Sequence, residues 1–139
     1  MQFVIEISAS AKRVWDILWS DETLRDWAGL VDPGTYMVGR LEEGSTVQFN
    51  SANGYGVTSL VAKLVPNEYI LFKHSADTQE NGEIGRDDQW TGGREIYKLT
   101  EKSDITTLEL MLDVPIELEQ VMNTSYPKAL ERVKELSES

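Results

Sequence analysis

The sequence predicts an α+β fold in which a curved antiparallel sheet of about seven strands wraps around one long C-terminal helix, with two short helices after the first strand. Three observations predict it. Strand candidates follow one another almost without interruption from about Tyr36 to Asp113. Most connections between them are so short that neighbouring strands must run antiparallel. One long amphipathic helix comes last, over 117–136, so the sheet has one obvious partner against which to bury its apolar face. A sheet curled around a helix tends to leave a cavity.

The elements follow in order. Phe3, Ile5 and Ile7 alternate with Gln2, Glu6 and Ser8, with Val4 apolar on the outer side, which reads as a strand over 2–8 with one buried face. Ser10 is a good N-cap, because its hydroxyl can accept from an early helix N–H. Ala11, Val14, Trp15 and Leu18 then fall on one helical face. Ser20 repeats the capping signal, and Asp21 and Glu22 place negative charge where the helix dipole favours it. Leu24 and Trp27 lie one turn apart, and Gly29 is a candidate C′ stop.

Asp32-Pro33-Gly34 reads as a turn. Strands are expected over 35–39, 46–51, 55–65, 68–75, 94–100 and 105–113. The turns between them are Glu42-Glu43-Gly44, Ala52-Asn53-Gly54, Pro66-Asn67 and Lys102-Ser103-Asp104, with Asn53-Gly54 a strong tight-hairpin signal. The last helix carries Leu118, Val121, Met122, Ser125, Tyr126, Ala129, Leu130, Val133 and Leu136, a stripe wide enough to face a sheet. Pro127 lies inside it and removes one backbone bond, so the expectation is a kink near 123–126, or else two helices with Ser125 capping the second.

At 139 residues the chain is expected to form one domain spanning 1–139. That length buries about two-thirds of the unfolded surface without staples. The sequence has no cysteine, which excludes disulfides, thiol nucleophiles and thiolate metal sites, and its lone histidine, His74, excludes histidine-cluster zinc sites. No cofactor or metal is expected. No apolar run approaches 18 residues and no basic-then-apolar leader is present, so a soluble cytoplasmic protein is expected. The formal charge of −11 argues against nucleic acid and anionic membranes as partners. Solubility is the plain reading of that charge, and a basic protein partner is the sharper one.

The element order resembles the helix-grip fold of the SRPBCC superfamily, also called START-like or birch-pollen-allergen-like. Ser10-Ala11-Lys12-Arg13-Val14-Trp15-Asp16 resembles the first-helix motif, and Trp27 the tryptophan ending the second helix. Gly93-Arg94-Glu95-Ile96-Tyr97-Lys98-Leu99-Thr100 and Thr106-Thr107-Leu108 resemble paired strands of the branch related to the activator of a heat-shock chaperone ATPase. Tyr126, Ala129-Leu130 and Val133-Lys134 resemble its final helix, which usually carries tryptophan where Tyr126 stands. The resemblance covers essentially the whole chain. It implies either a ligand cavity or a chaperone partner, and fold analogy alone does not choose between them.

Strand alternation selects the side chains that face the helix: Val47 with Phe49; Ile70, Phe72 and His74; Glu95, Tyr97 and Leu99; Leu108, Leu110 and Leu112. The candidate cavity residues are Trp27, Phe49, Ile70, Phe72, His74, Trp90, Glu95, Tyr97, Leu110, Met122 and Tyr126. A filled core built of the same residues is the alternative. His74 could bind a ligand or move a proton, yet no serine–histidine–acid spacing is readable, so a strand-end histidine, exposed or bonded to a neighbour, is favoured. Glu95 and Asp113 sit on adjacent strands and could pair as acid and base; surface or strand-end placement is the favoured reading.

The segment 77–93 is too long for an ordinary hairpin loop. It reads as a polar loop or as a lid placing Trp90 over the cavity. Asp77, Gln79, Asn81, Gly82 and Asp88 shadow a calcium loop, with the wrong last ligand and strands as flanks. Trp15 and Trp19 lie four apart, with Trp15 assigned to the core and Trp19 to packing rather than to an exposed partner surface. The functional expectation is a non-enzymatic module binding a small apolar or amphipathic molecule, with no catalytic residue assigned. The alternatives are a co-chaperone-like module stimulating a heat-shock ATPase, and a cavity cyclase or hydrolase using His74 with Glu95 or Asp113.

Overall fold

The structure is a computed structural model that describes residues 1–52, 55–79 and 92–139. Strand β1 (Gln2–Ile7) leads into helices α1 (Ala11–Trp19) and α2 (Asp21–Ala28). Strands β2 (Tyr36–Val38), β3 (Thr46–Asn50), β4 (Tyr55–Val65), β5 (Tyr69–Gln79), β6 (Arg94–Lys102) and β7 (Ile105–Leu112) follow. A 3-10 turn (Ile116–Leu118) then starts the long helix α3 (Glu119–Glu138). The strands form one curved antiparallel sheet in the order β1-β7-β6-β5-β4-β3-β2. This is the helix-grip arrangement: a meander from β2 to β7, closed at its far edge by β1.

Alternation decides which side chains the sheet turns inward. Tyr97 on β6 stands between Ile70 on β5 and Leu110 on β7, and all three are buried. Ile7, Val47, Val61, Phe72, Leu99 and Leu108 join them on the concave face. Val4 and Met111 point the other way and are exposed.

Ser10 caps α1, its Oγ accepting from the backbone N–H of Arg13 at 3.1 Å. Ser20 precedes α2, but its hydroxyl makes no capping bond. The free polar group there is used differently: the Thr23 hydroxyl donates to the carbonyl of Ile17 at 2.6 Å and stitches the two short helices together. Gly29 does end α2, though in a right-handed conformation rather than the left-handed C′ geometry, because the chain continues into a turn through Leu30 and Val31. Ser103 and Asp104, both with positive φ, make the tight β6–β7 turn. The Asn53-Gly54 turn lies outside the described residues.

Two expectations change. Strand β5 runs on to Gln79, because β4 continues beside it and pairs Val57, Gly56 and Tyr55 with Asp77, Thr78 and Gln79. Helix α3 passes unbroken through Pro127, so the two-helix alternative does not hold. Its C-terminal half buries Ala129, Leu130 and Val133 in the core and packs on β1 and α1. Arg132 joins α3 to α2 through two hydrogen bonds of 2.9 Å to the two carboxylate oxygens of Asp26. Bonded so, Asp26 titrates below the ordinary carboxylate range.

Candidate functional site

The N-terminal half of α3 does not close onto the sheet. A cavity of about 320 Å³ remains between them. One wall is α2 and the turn after it, with Leu24, Trp27, Ala28, Val31, Asp32 and Thr35. A second is the concave sheet, with Phe49, Asn50, Ser51, Gly56, Val57, His74, Glu95 and Tyr97. The third is α3 with its leading turn, through Leu118, Val121, Met122 and Tyr126, and Trp19 completes the enclosure. The volume lies at the lower end for small-molecule sites.

Seven of the residues selected from the sequence stand on this wall: Trp27, Phe49, His74, Glu95, Tyr97, Met122 and Tyr126. Ile70, Phe72 and Leu110 do not, although they are fully buried on the same sheet face. Alternation selects a face and not a depth. Phe72 is covered by Phe49 at 5.3 Å and Trp19 at 5.5 Å between ring centroids, and Ile70 and Leu110 flank Tyr97, whose ring meets the cavity instead. Trp90 lies outside the described residues, as do Asn81, Gly82 and Asp88 of the calcium-loop pattern.

Trp19 is the residue the sequence reading undervalued. It is buried and meets Trp15, Trp27, Phe72 and Tyr97 edge-on, at 4.9 to 6.5 Å. Trp15 is only half-buried at the edge of this cluster. The signal was its place as the last residue of α1, immediately before the turn that sends α2 across the sheet. Its indole N–H is buried and unpaired among the described residues, whereas that of Trp27 donates to the Leu18 carbonyl at 3.2 Å.

Glu95 is the acid that the sheet contributes to the cavity. Its neighbours on β6 alternate outward, so its own side chain points under α3. Tyr97 donates to one carboxyl oxygen at 3.3 Å and Tyr126 to the other at 3.5 Å. Both bonds are long. Burial therefore outweighs them and raises the Glu95 pKa from 4.5 to about 7. The same burial, with the carboxylate alongside, drives both tyrosine hydroxyls well above their ordinary pKa. Glu95 therefore stands on the cavity wall, as strand alternation selects it, and not in the surface placement favoured when it is weighed as a partner of Asp113.

For Asp113 that placement holds. Its side chain is exposed and its carboxylate accepts from the backbone N–H of Arg94 at 3.0 Å and the guanidinium at 3.2 Å. Some burial raises its pKa, but the bonds to Arg94 prevail and hold it below the usual value. Asp113 is therefore no partner for a group in the cavity.

His74 is buried and turned inward, and its Nδ1 is 2.7 Å from the hydroxyl of Ser59 on β4. A β-bulge between Thr58 and Ser59 falls beside this pair. The register leaves Ser75 on β5 without a partner next to His74, and such an extra residue bends a strand and re-aims the side chains beside it. Glu95 is paired with Phe72, two residues from His74, so the two polar groups are diagonal neighbours on one face. Gly56 lets β3 approach: a Cβ there would collide with the Phe49 carbonyl and the Asn50 side chain. Among the described residues no three histidine, aspartate or glutamate side chains are placed to hold a metal ion, and no helix is long and apolar enough to cross a membrane.

The arrangement can hold a compact apolar body among aromatic rings, offer it two acids, Glu95 and Asp32, and a few hydroxyls, and exchange a proton near neutrality at Glu95. Solved structures share the fold. The Aha1 dimer from Colwellia psychrerythraea matches with a TM-score of 0.75 and 21% identity, over 99% of this chain and 95% of that one. An AHSA1-like protein from Aeromonas hydrophila matches with a TM-score of 0.67 and 13% identity, over 98% and 91%. DynU16, from the dynemicin biosynthetic locus, matches with a TM-score of 0.71 and 12% identity, over 97% of this chain and 45% of its own. No curated protein matches the sequence. The family model for "Activator of Hsp90 ATPase homolog 1-like protein" spans residues 8–133. The chain therefore belongs to the family of activator of Hsp90 ATPase homolog 1-like proteins.

Proposed function

We propose that the chain is a non-enzymatic, cytoplasmic binding module that takes a small apolar or amphipathic molecule into the cavity between the sheet and α3. The observation that carries this reading is the cavity itself, about 320 Å³ walled by Trp19, Trp27, Phe49, Tyr97 and Tyr126. A helix that packed for stability alone would fill such a space, because interiors pack densely and voids destabilise. Native mass spectrometry of protein purified from its own cells, together with displacement of an environment-sensitive dye, tests it. A co-purified small molecule and competitive displacement are expected. A chain that carries no small molecule and displaces no dye would refute the reading.

A second reading is favoured by family membership: a protein-interaction module that stimulates a heat-shock ATPase. The strongly acidic chain, at −11, would then need a basic surface on its partner. Pull-down of the ATPase from the same organism, followed by its turnover with and without the chain, decides it; absence of both binding and stimulation retires it.

A further inference from the structure

Resting on the binding reading above, we infer that the cavity selects a cationic ligand, an aromatic or otherwise apolar amine, whose ammonium group pairs with Glu95. The inference stands on what lines the cavity and how it is arranged. Its ionisable side chains among the described residues are Asp32 from the turn after α2, His74 from β5, Glu95 and Tyr97 from β6, and Tyr126 from α3. No lysine or arginine is among them. Among the described residues an anionic ligand such as a fatty acid would meet two acids and no fixed positive charge, and a buried unpaired carboxylate is strongly disfavoured.

Glu95 is also incompletely served by the protein. Its two tyrosine bonds, at 3.3 and 3.5 Å, lie beyond the usual range for a hydroxyl donating to a carboxylate. An ammonium group in the cavity supplies the missing donors and the opposite charge. Trp19, Trp27, Phe49 and Tyr97 are on the same cavity wall, and a cation that lies over a ring face gains further from the aromatic quadrupole. The burial that displaces Glu95 toward neutrality gives the selection a direction with pH: an amine draws the carboxyl into its ionised form, and binds better as pH rises through about 7. The acidic surface of the whole chain adds long-range attraction for the same charge.

Three probes of nearly equal shape separate the possibilities: naphthylmethylamine, naphthylmethanol and naphthoate, titrated calorimetrically into the full chain. At about pH 8 the amine is expected to bind at least tenfold more tightly than the alcohol, roughly the strength of one charge-assisted hydrogen bond, and naphthoate not measurably. Glu95→Gln brings the amine down to the alcohol and leaves the alcohol within about threefold, because the amide keeps the shape. Asp32→Asn leaves the preference in place. If naphthoate binds as well as the amine, or the preference survives Glu95→Gln, or it vanishes in Asp32→Asn instead, this inference is overturned while the cavity reading stands. If none of the three binds, both are overturned.

Discussion

Tyr126 on α3 and Glu95 on β6 meet at 3.5 Å, a long hydrogen bond that links the gripping helix to the sheet across the cavity. Tyr97 reaches the other oxygen of the same carboxyl. The two hydroxyls hold the acid in place without offsetting the loss of water around it.

That relationship makes stability depend on pH. Glu95 is raised to about 7 in the folded chain, so between about 4.5 and 7 the folded state binds more protons than the unfolded one. Stability must fall as pH rises through that window, by roughly 3 kcal/mol once Glu95 is fully ionised. Glu95→Gln removes this contribution and should be more stable than the parent by about 2–3 kcal/mol at about pH 8, with little difference at about pH 4.5. Urea unfolding of both proteins at the two pH values checks it; parallel curves would contradict it.

Ser59 and His74 form a buried pair at 2.7 Å. Ser59→Ala removes one member and leaves the imidazole with one bond fewer in a buried position. A loss of about 1–2 kcal/mol is expected, read as a lower midpoint in thermal or urea unfolding. An unchanged midpoint would mean that the pair adds nothing to stability.

Gly56 should not tolerate alanine. The added Cβ meets the Phe49 carbonyl and the Asn50 side chain, and a backbone carbonyl cannot simply swing aside. Overpacking of this kind is expected to cost about 2–3 kcal/mol and to disturb the edge formed by β3 and β2. Amide exchange localised to β2 and β3 is the signature; uniform loss of protection across all seven strands would point to a different cause.

Val121 lines the cavity from α3 yet is half exposed, so a larger side chain there can occupy the opening without entering the core. Val121→Trp should weaken binding of any cavity ligand at least about tenfold while moving the melting temperature by no more than about 3 °C. Retained affinity would mean that ligands enter or sit elsewhere.

The architecture was legible because it depends on local patterns that repeat. Seven alternating segments, turn residues such as Asn67 and Asp104 with positive φ, and a 3.6-residue stripe on α3 all agree with one another. The faces were legible for the same reason, which is why most of the residues picked for the cavity stand on its wall. What was not legible is depth along a face. Phe72 and Tyr97 share a face and both meet Trp19 from α1, but Phe49 from β3 lies against Phe72, and Tyr97 is the one left on the cavity wall. For Glu95 the two sequence signals disagree: alternation puts it on the inner face, base rates put acids outside, and the structure follows alternation. The contributions of Asp32 and Thr35 had no periodic signal, since they come from a turn.

Helix α3 has two neighbourhoods: its last three turns are held by the core at Ala129, Leu130 and Val133, while Val121, Met122 and Tyr126 line the cavity. The two sets of positions are therefore free to evolve on different schedules. Changes near the start of the helix reshape the cavity wall, whereas changes near its end are filtered chiefly by stability.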